Sequence, residues 1–189
     1  WYRSRGLGDV YKRQPYMKPG LVVDKIVDIV SKNGNMLLNI PIKADGTLDK
    51  EATELLKEVG RWFKVNGEAI YGTRPWYMFG EGKNRIGAHD LESTLTVRDF
   101  RYTTKNGYLY AFVMDWPKKH QNPIVLPNLT EMNQRISNVT SVELIGHDED
   151  LKWENHGDGL HVTLPSKKPC DHAYALKIGF AEPIKSPLQ

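Results

Sequence analysis

Asn35-Met36-Leu37-Leu38-Asn39-Ile40 is a short apolar run set between the turn formers Asn33-Gly34 and a proline, Pro41. A run of this length, bounded in this way, reads as a strand buried on both faces, as in a parallel sheet. Proline ends it because it has no N–H to give to a sheet ladder. Upstream, Val22, Val23, Ile26, Val27, Ile29 and Val30 form a helical stripe over residues 20–32. Asn33-Gly34 closes that helix, since one of the two can take the left-handed conformation common at helix ends. Downstream, Asp45-Gly46 marks a turn and Asp49 suits an N-cap. Ala52, Leu55, Leu56, Val59, Trp62 and Phe63 then recur at steps of three and four, with Gly67 as the expected end. Residues 20–67 therefore read as helix–strand–helix. Such a unit is not a domain, because a parallel strand needs strand neighbours for its backbone and helices for both faces. The chain is expected to be truncated, or to need a partner that supplies the sheet.

From Ser93 onward the texture changes to short β runs with turns between them. Residues 95–104 and 108–114 flank Lys105-Asn106-Gly107, and Asn-Gly between β-rich runs is a strong hairpin signal. Further strands are expected at 124–126, 139–145, 151–153, 160–164 and 174–180. Leu160, Val162 and Leu164 alternate with His161 and Thr163, and Tyr174, Leu176, Ile178 and Phe180 alternate with Ala175, Lys177 and Gly179. Period-two patterning in seven short strands points to an antiparallel sandwich. The junction falls in residues 72–87, which are rich in Gly, aromatics and charge. The expected fold class is thus α/β plus all-β, with residues 15–72 forming the α/β part and residues 73–189 the β-sandwich.

The chain has 189 residues, 40% hydrophobic and 26% charged, a composition of a globular protein. No apolar run is long enough to cross a membrane as a helix. Arg3, Arg5, Lys12 and Arg13 against Asp9 account for the whole net charge of +3, so the rest of the chain is neutral. A neutral body offers no general footprint for phosphate backbones, which argues against a nucleic-acid partner. Residues 1–14 lack any periodicity and resemble translated adapter read-through, although a genuine basic arm is the alternative. Cys170 is the single cysteine. It permits no intrachain disulfide and no cysteine-based zinc cluster, and its place after Pro169 fits a small half-buried thiol rather than a nucleophile.

The motif from Lys32 to Leu48, with Asn35 to Gly46 at its heart, and the later Val65-Asn66-Gly67-Glu68-Ala69-Ile70-Tyr71-Gly72-Thr73-Arg74-Pro75-Trp76 closely resemble the end of the catalytic barrel in α-L-fucosidases of glycoside hydrolase family 29. The remainder resembles the C-terminal β-sandwich of the same enzymes, more weakly, through Arg98-Asp99-Phe100-Arg101-Tyr102-Thr103-Thr104 and Lys167-Lys168-Pro169-Cys170. One departure is Ile40-Pro41-Ile42-Lys43, where many members carry Gly-Pro after Asn-Ile. The resemblance implies the last helix–strand–helix portion of a (β/α)8 barrel followed by the sandwich. It implies a parent enzyme that removes terminal α-L-fucose from oligosaccharides or glycoconjugates with retention and without a cofactor, in a periplasmic or secreted setting. The family's aspartate nucleophile and glutamate acid/base have no counterpart here, so this chain alone is expected to carry no catalytic residue and to be inactive.

Retaining glycosidases pair two carboxyl groups about 5–5.5 Å apart, and in (β/α)8 enzymes these sit at the C-terminal ends of strands. Asp45 and Asp49 are the carboxylates near the end of the run, but a turn and a cap account for them. Asn39 is the best-placed residue left. Its amide is suited either to orienting a loop or catalytic group near substrate, or to satisfying buried loop backbone. Gly72-Thr73-Arg74-Pro75-Trp76 reads as a junction anchor, with Arg74 able to pair with a carboxylate across it. His89, His120, His147, His156, His161 and His172 show no metal-ligand spacing, and no metal site is expected. Trp116 and Trp153 are candidates to stack on sugars. Asn128-Leu129-Thr130 and Asn138-Val139-Thr140 match the glycosylation triplet. The competing readings are a non-catalytic carbohydrate-binding sandwich, which leaves the helix–strand–helix unexplained, and a purely structural or interaction domain.

Overall fold

The computed structural model describes residues 16–87, 89–130 and 132–187. The adapter-like reading of residues 1–14 lies outside the described residues. Among these residues two α-helices come first, α1 (Pro19–Ser31) and α2 (Lys50–Asn66). Eight strands follow: β1 (Arg74–Glu81), β2 (Phe100–Lys105), β3 (Tyr108–Val113), β4 (Ile124–Leu126), β5 (Val139–Leu144), β6 (Lys152–His156), β7 (Gly159–Thr163) and β8 (Tyr174–Phe180). They form a five-stranded sheet, β1-β2-β3-β8-β5, and a three-stranded sheet, β4-β7-β6, with every pairing antiparallel.

The period-two pattern sorts the side chains between two cores. Phe100, Tyr102, Leu109, Ala111, Val113, Leu176 and Ile178 face inward and meet Ile124, Leu126, Leu160 and Val162 of the small sheet. The alternate residues Tyr110, Phe112 and Ala175 point the other way, toward Val23, Val27, Leu55, Val59 and Trp62 of the helices. The molecule is therefore three layers deep, and the five-stranded sheet is covered on both faces. That explains why β3 reads Tyr-Leu-Tyr-Ala-Phe-Val with no polar alternation. Asn106 and Gly107 take φ of 52° and 83° between β2 and β3. This is the primed hairpin turn expected from Asn-Gly.

α2 forms as its sequence predicts. Asp49 Oδ1 accepts the Ala52 N–H at 2.7 Å, and the stripe Ala52, Leu55, Val59, Trp62 is buried. α1 starts with Pro19 in its first turn and ends where Asn33 enters the left-handed region, φ 61°. The Asp45-Gly46 turn also forms, closed by Gly46 N–H to Lys43 O at 2.9 Å and Lys43 N–H to Thr47 O at 2.8 Å.

Residues 35–40 depart from expectation. They are extended but belong to no sheet among the described residues. Met36, Leu38 and Ile40 turn inward against the helix-side core, while Asn35, Leu37 and Asn39 face out. Leu37 is 94% exposed and Ile42 68%. The alternation of a strand is present without the ladder, because among the described residues no strand pairs with it on either side. Two further differences concern the sheet. β1 lies in the stretch read as a junction. Pro75 and Gly80 lie within it and flank an irregularity in its pairing with β2, tolerated because β1 is an edge strand. Residues 95–99 are not strand, because the Asp99 carboxylate gathers them into a loop. It accepts from Asn84 N and Nδ2 at 3.0 and 2.8 Å and from Thr96 N and Oγ1, both at 2.8 Å.

Candidate functional site

The residues singled out near the end of the apolar run are not assembled for chemistry. Asn39 is exposed, and its amide has no hydrogen-bond partner among the described residues. Asp45 Oδ1 accepts the N–H and the hydroxyl of Thr47 at 2.9 and 2.7 Å, and the hydroxyl above all holds its pKa below the usual value. Asp49 is lowered first by the Ala52 N–H, then by the Tyr16 hydroxyl, which donates to Oδ2 at 2.6 Å. Both carboxylates are stabilised in the charged form by local turn and cap geometry, the opposite of what a general acid needs.

The junction signature is structural. Trp76 is buried and meets Tyr102 edge-on at 5.1 Å. Gly72 takes φ 69°. Arg74 is exposed and donates to the neighbouring Thr73 carbonyl at 3.0 Å, with no carboxylate partner among the described residues. Trp116 lies edge-on to Tyr174 at 4.6 Å, and Trp153 packs on the sandwich core opposite Val162. Both are half-buried. Burial raises the pKa of the Cys170 thiol, and Asn66 Nδ2 approaches its Sγ at 3.3 Å. The histidines hold a pairing that sequence spacing did not show. The β6–β7 hairpin brings His156 and His161 to 4.4 Å between ring centroids, with Glu154 beside His156 at 3.1 Å and Asp158 beside His161 at 2.8 Å. Among the described residues no group of three or more His, Cys, Asp or Glu can hold a metal ion.

Sequence reasoning missed the polar groups that join the helices to the sheet. Asp28, on the buried side of α1, accepts from Arg101 Nε and from Lys32 Nζ, both at 2.6 Å. Arg101 is wholly buried, and its Nη2 has no hydrogen-bond partner among the described residues. Trp62 Nε1 donates to Ala173 O at 2.7 Å, and Asn66 Oδ1 accepts the Ala175 N–H at 3.3 Å. Thr103 Oγ1 donates to Ala69 O at 2.8 Å. Glu68 accepts from the Tyr110 hydroxyl and from Lys177, at 2.7 and 2.8 Å. The available signal was polar residues on otherwise apolar stripes, Asp24 and Asp28 in α1 and Arg101 and Thr103 in β2.

A cleft of about 830 Å³ opens beside this seam, between the start of α1, α2 and the loops at one end of the large sheet. Asp24 lines it and is 6% exposed; burial raises its carboxyl to about 6, against the opposing effects of the Ser93 hydroxyl and His172. Glu58 meets His172 at 2.7 Å on the same wall. The polar groups of the cleft are already committed to one another across the seam.

Two family models match the chain. One, described as Alpha-L-fucosidase, covers residues 4–68 and begins inside the basic terminal segment. The other, described as Alpha-L-fucosidase C-terminal domain, covers residues 93–179. These are successive parts of one class of glycoside hydrolase. Among curated proteins, an alpha-L-fucosidase of Branchiostoma floridae is 32% identical over 177 residues, 89% of this chain and 35% of its own length. Human tissue alpha-L-fucosidase is 32% identical over 162 residues, 83% of this chain and 30% of its own. Among solved structures, isoenzyme 1 of Paenibacillus thiaminolyticus superposes with a TM-score of 0.65 at 28% identity, covering 88% of this chain and 35% of the other. Thermotoga maritima alpha-fucosidase in complex with fucose gives 0.67 at 26%, covering 86% and 34%. The chain belongs to the α-L-fucosidase family, glycoside hydrolase family 29. It spans about a third of the length of the curated relatives it matches.

Proposed function

We infer that this chain is the C-terminal part of an α-L-fucosidase. In this reading residues 15–72 complete a (β/α)8 catalytic barrel, and residues 73–189 are a sandwich that holds that end of the barrel in place. The whole enzyme removes terminal α-L-fucose from oligosaccharides or glycoconjugates with retention, while the present chain alone does not turn over. The observation that carries the reading is the extended, unpaired run at residues 35–40. It half-buries Met36, Leu38 and Ile40 against the helix-side core and, among the described residues, leaves its backbone edges unpaired, the condition of a strand awaiting neighbours. Retention needs a nucleophile and an acid/base about 5–5.5 Å apart. The carboxylates beside the run, Asp45 and Asp49, are engaged in a turn and a cap instead. Asn39 then stands at the C-terminal end of the completed strand, where its free amide faces the loops that surround a barrel's active site.

The test compares the chain with the full-length gene product on an aryl α-L-fucoside. Turnover by the full-length enzyme and none by residues 1–189 is the expected result. Turnover by the purified chain above a matched blank would overturn the proposal. Saturable binding of a fucosylated oligosaccharide by the chain without hydrolysis would favour the carbohydrate-binding reading of the sandwich instead.

A further inference from the structure

Two glycosylation triplets stand about ten residues apart in the loop and strand that follow β4, and the fold treats them in opposite ways. In Asn128-Leu129-Thr130 the middle residue is wholly buried in the sandwich core and the flanking residues are half-buried. Asn128 Nδ2 donates to Glu81 Oε2 at 2.5 Å, and its backbone carbonyl accepts from Asn133 Nδ2 at 2.7 Å. Glu81 in turn accepts from the hydroxyl of the wholly buried Tyr102. The amide nitrogen that would carry a sugar is thus part of an interior network. In Asn138-Val139-Thr140 both Asn138 and Thr140 are exposed. The Asn138 side chain has no hydrogen-bond partner among the described residues, while its backbone carbonyl is fixed by the Ala181 N–H at 2.9 Å. Thr140 is the second residue of β5 and stands at an irregularity in its pairing with β8, between Val139 and Ser141, so both ends of the triplet lie at the exposed start of the strand.

We propose that Asn138 is an acceptor for an N-linked glycan and that Asn128 is not. The donor is a lipid-pyrophosphate-linked oligosaccharide. Asn138 Nδ2 forms a bond to the sugar C1 and gives up one proton. The bond from C1 to the phosphate oxygen breaks, and the lipid pyrophosphate leaves with that electron pair. The position has a physical consequence. Among the described residues β5 pairs only with β8 and is an edge of the large sheet, and an edge strand with free backbone groups is a template for pairing with another chain. A bulky polar glycan at the first residue before β5 shields that edge. At Asn128 the same group would displace the Glu81 contact and pull Leu129 from the core.

The experiment routes the full chain, behind a cleavable signal sequence, through a eukaryotic secretory host. Intact mass before and after glycosidase treatment counts the glycans, and peptide mapping locates them. The expected result is one glycan, on the peptide containing Asn138, absent from Asn138→Gln and from Thr140→Val, both of which alter exposed side chains and keep the unglycosylated wild type's thermal midpoint. An unmodified secreted chain, a glycan retained in Asn138→Gln, or a glycan mapped to Asn128 would each overturn the proposal. The outcome is independent of whether the parent enzyme cleaves fucose.

Discussion

Replacing Asp28 by Ala tests whether the helix layer and the sandwich are one cooperative body. Asp28 neutralises Arg101, which is wholly buried and already leaves Nη2 without a partner. Removing the carboxylate strands a guanidinium in a low-dielectric seam, and breaking a buried pair in this way costs about 3–5 kcal/mol. Lys32 cannot compensate, since it is a second cation on the same carboxylate. For a chain of this size about 1 kcal/mol corresponds to roughly 2–4 °C in midpoint. Asp28→Ala should therefore lower the thermal midpoint by about 6–20 °C in one transition. The double variant Asp28→Leu with Arg101→Met removes both charges at similar volume and should recover most of the loss, as apolar replacements of buried pairs do. Calorimetry and urea titration on the three proteins decide it. A loss in Asp28→Ala below about 1 kcal/mol would show that water reaches the pair. A double variant no more stable than Asp28→Ala would show that the seam depends on the charges themselves. Two separate transitions would show that the helices and sandwich unfold independently.

Asp24 gives a pH dependence. Its folded-state pKa, about 6, lies above the unfolded value of 3.8, so between these values the folded state binds more protons and stability falls as pH rises. The loss is on the order of 3 kcal/mol, complete above pH 6 and absent below 3.8; urea midpoints across that window should slope less in Asp24→Asn than in wild type, and equal slopes would refute the assignment. Asp99→Ala should cost about 1–3 kcal/mol, because it removes the acceptor that gathers the donors of the half-buried Asn84 and the exposed Thr96 into one loop, and a urea midpoint within error of wild type would contradict this. Leu37 is 94% exposed on an open-edged run, so the chain is expected to self-associate in size-exclusion chromatography and Leu37→Lys to reduce that association without shifting the midpoint; unchanged association would mean that the run is not the contact.

The helices, their caps, the Asn106-Gly107 hairpin and most strands were legible because each is written in local chemistry. Asp49 needs only Ala52, three residues on, to act as a cap. β1 was not legible, because Pro75, Gly80 and Gly82 are turn formers and only a place at the sheet edge lets such a stretch pair. The start of β2 was misplaced for a related reason. Leu95 and Val97 look like the start of an alternation, but Asp99 collects donors from residues 84 and 96, and a partner fifteen residues away leaves no periodic trace. The run at residues 35–40 is the converse. Its local pattern is that of a strand, and a strand is a property of at least two segments. Asn39 could be chosen from that pattern, but its surroundings depend on neighbours outside it.

The helix stripes show most clearly how far a pattern can be carried. Val23, Val27, Leu55, Val59 and Trp62 demand a cover, and nothing in their spacing says which. The outer face of β3 and β8 is that cover. It offers Tyr110 and Phe112 for bulk and Ala173 and Ala175 where a backbone must come close, so that Trp62 can lie against the chain and donate to Ala173 O. Each buried apolar side chain in this seam contributes about 1.5–3 kcal/mol, enough to hold the helix pair without a barrel sheet above it. The contacts around Asp28, Asn66 and Glu68 add register to that burial, since each side chain has a single position in which its partner on the sheet is met. The same seam that lets the helices fold on the sandwich therefore also fixes where residues 35–40 sit. In the proposed reading, an edge held in place by this layer is what the barrel would need from the sandwich.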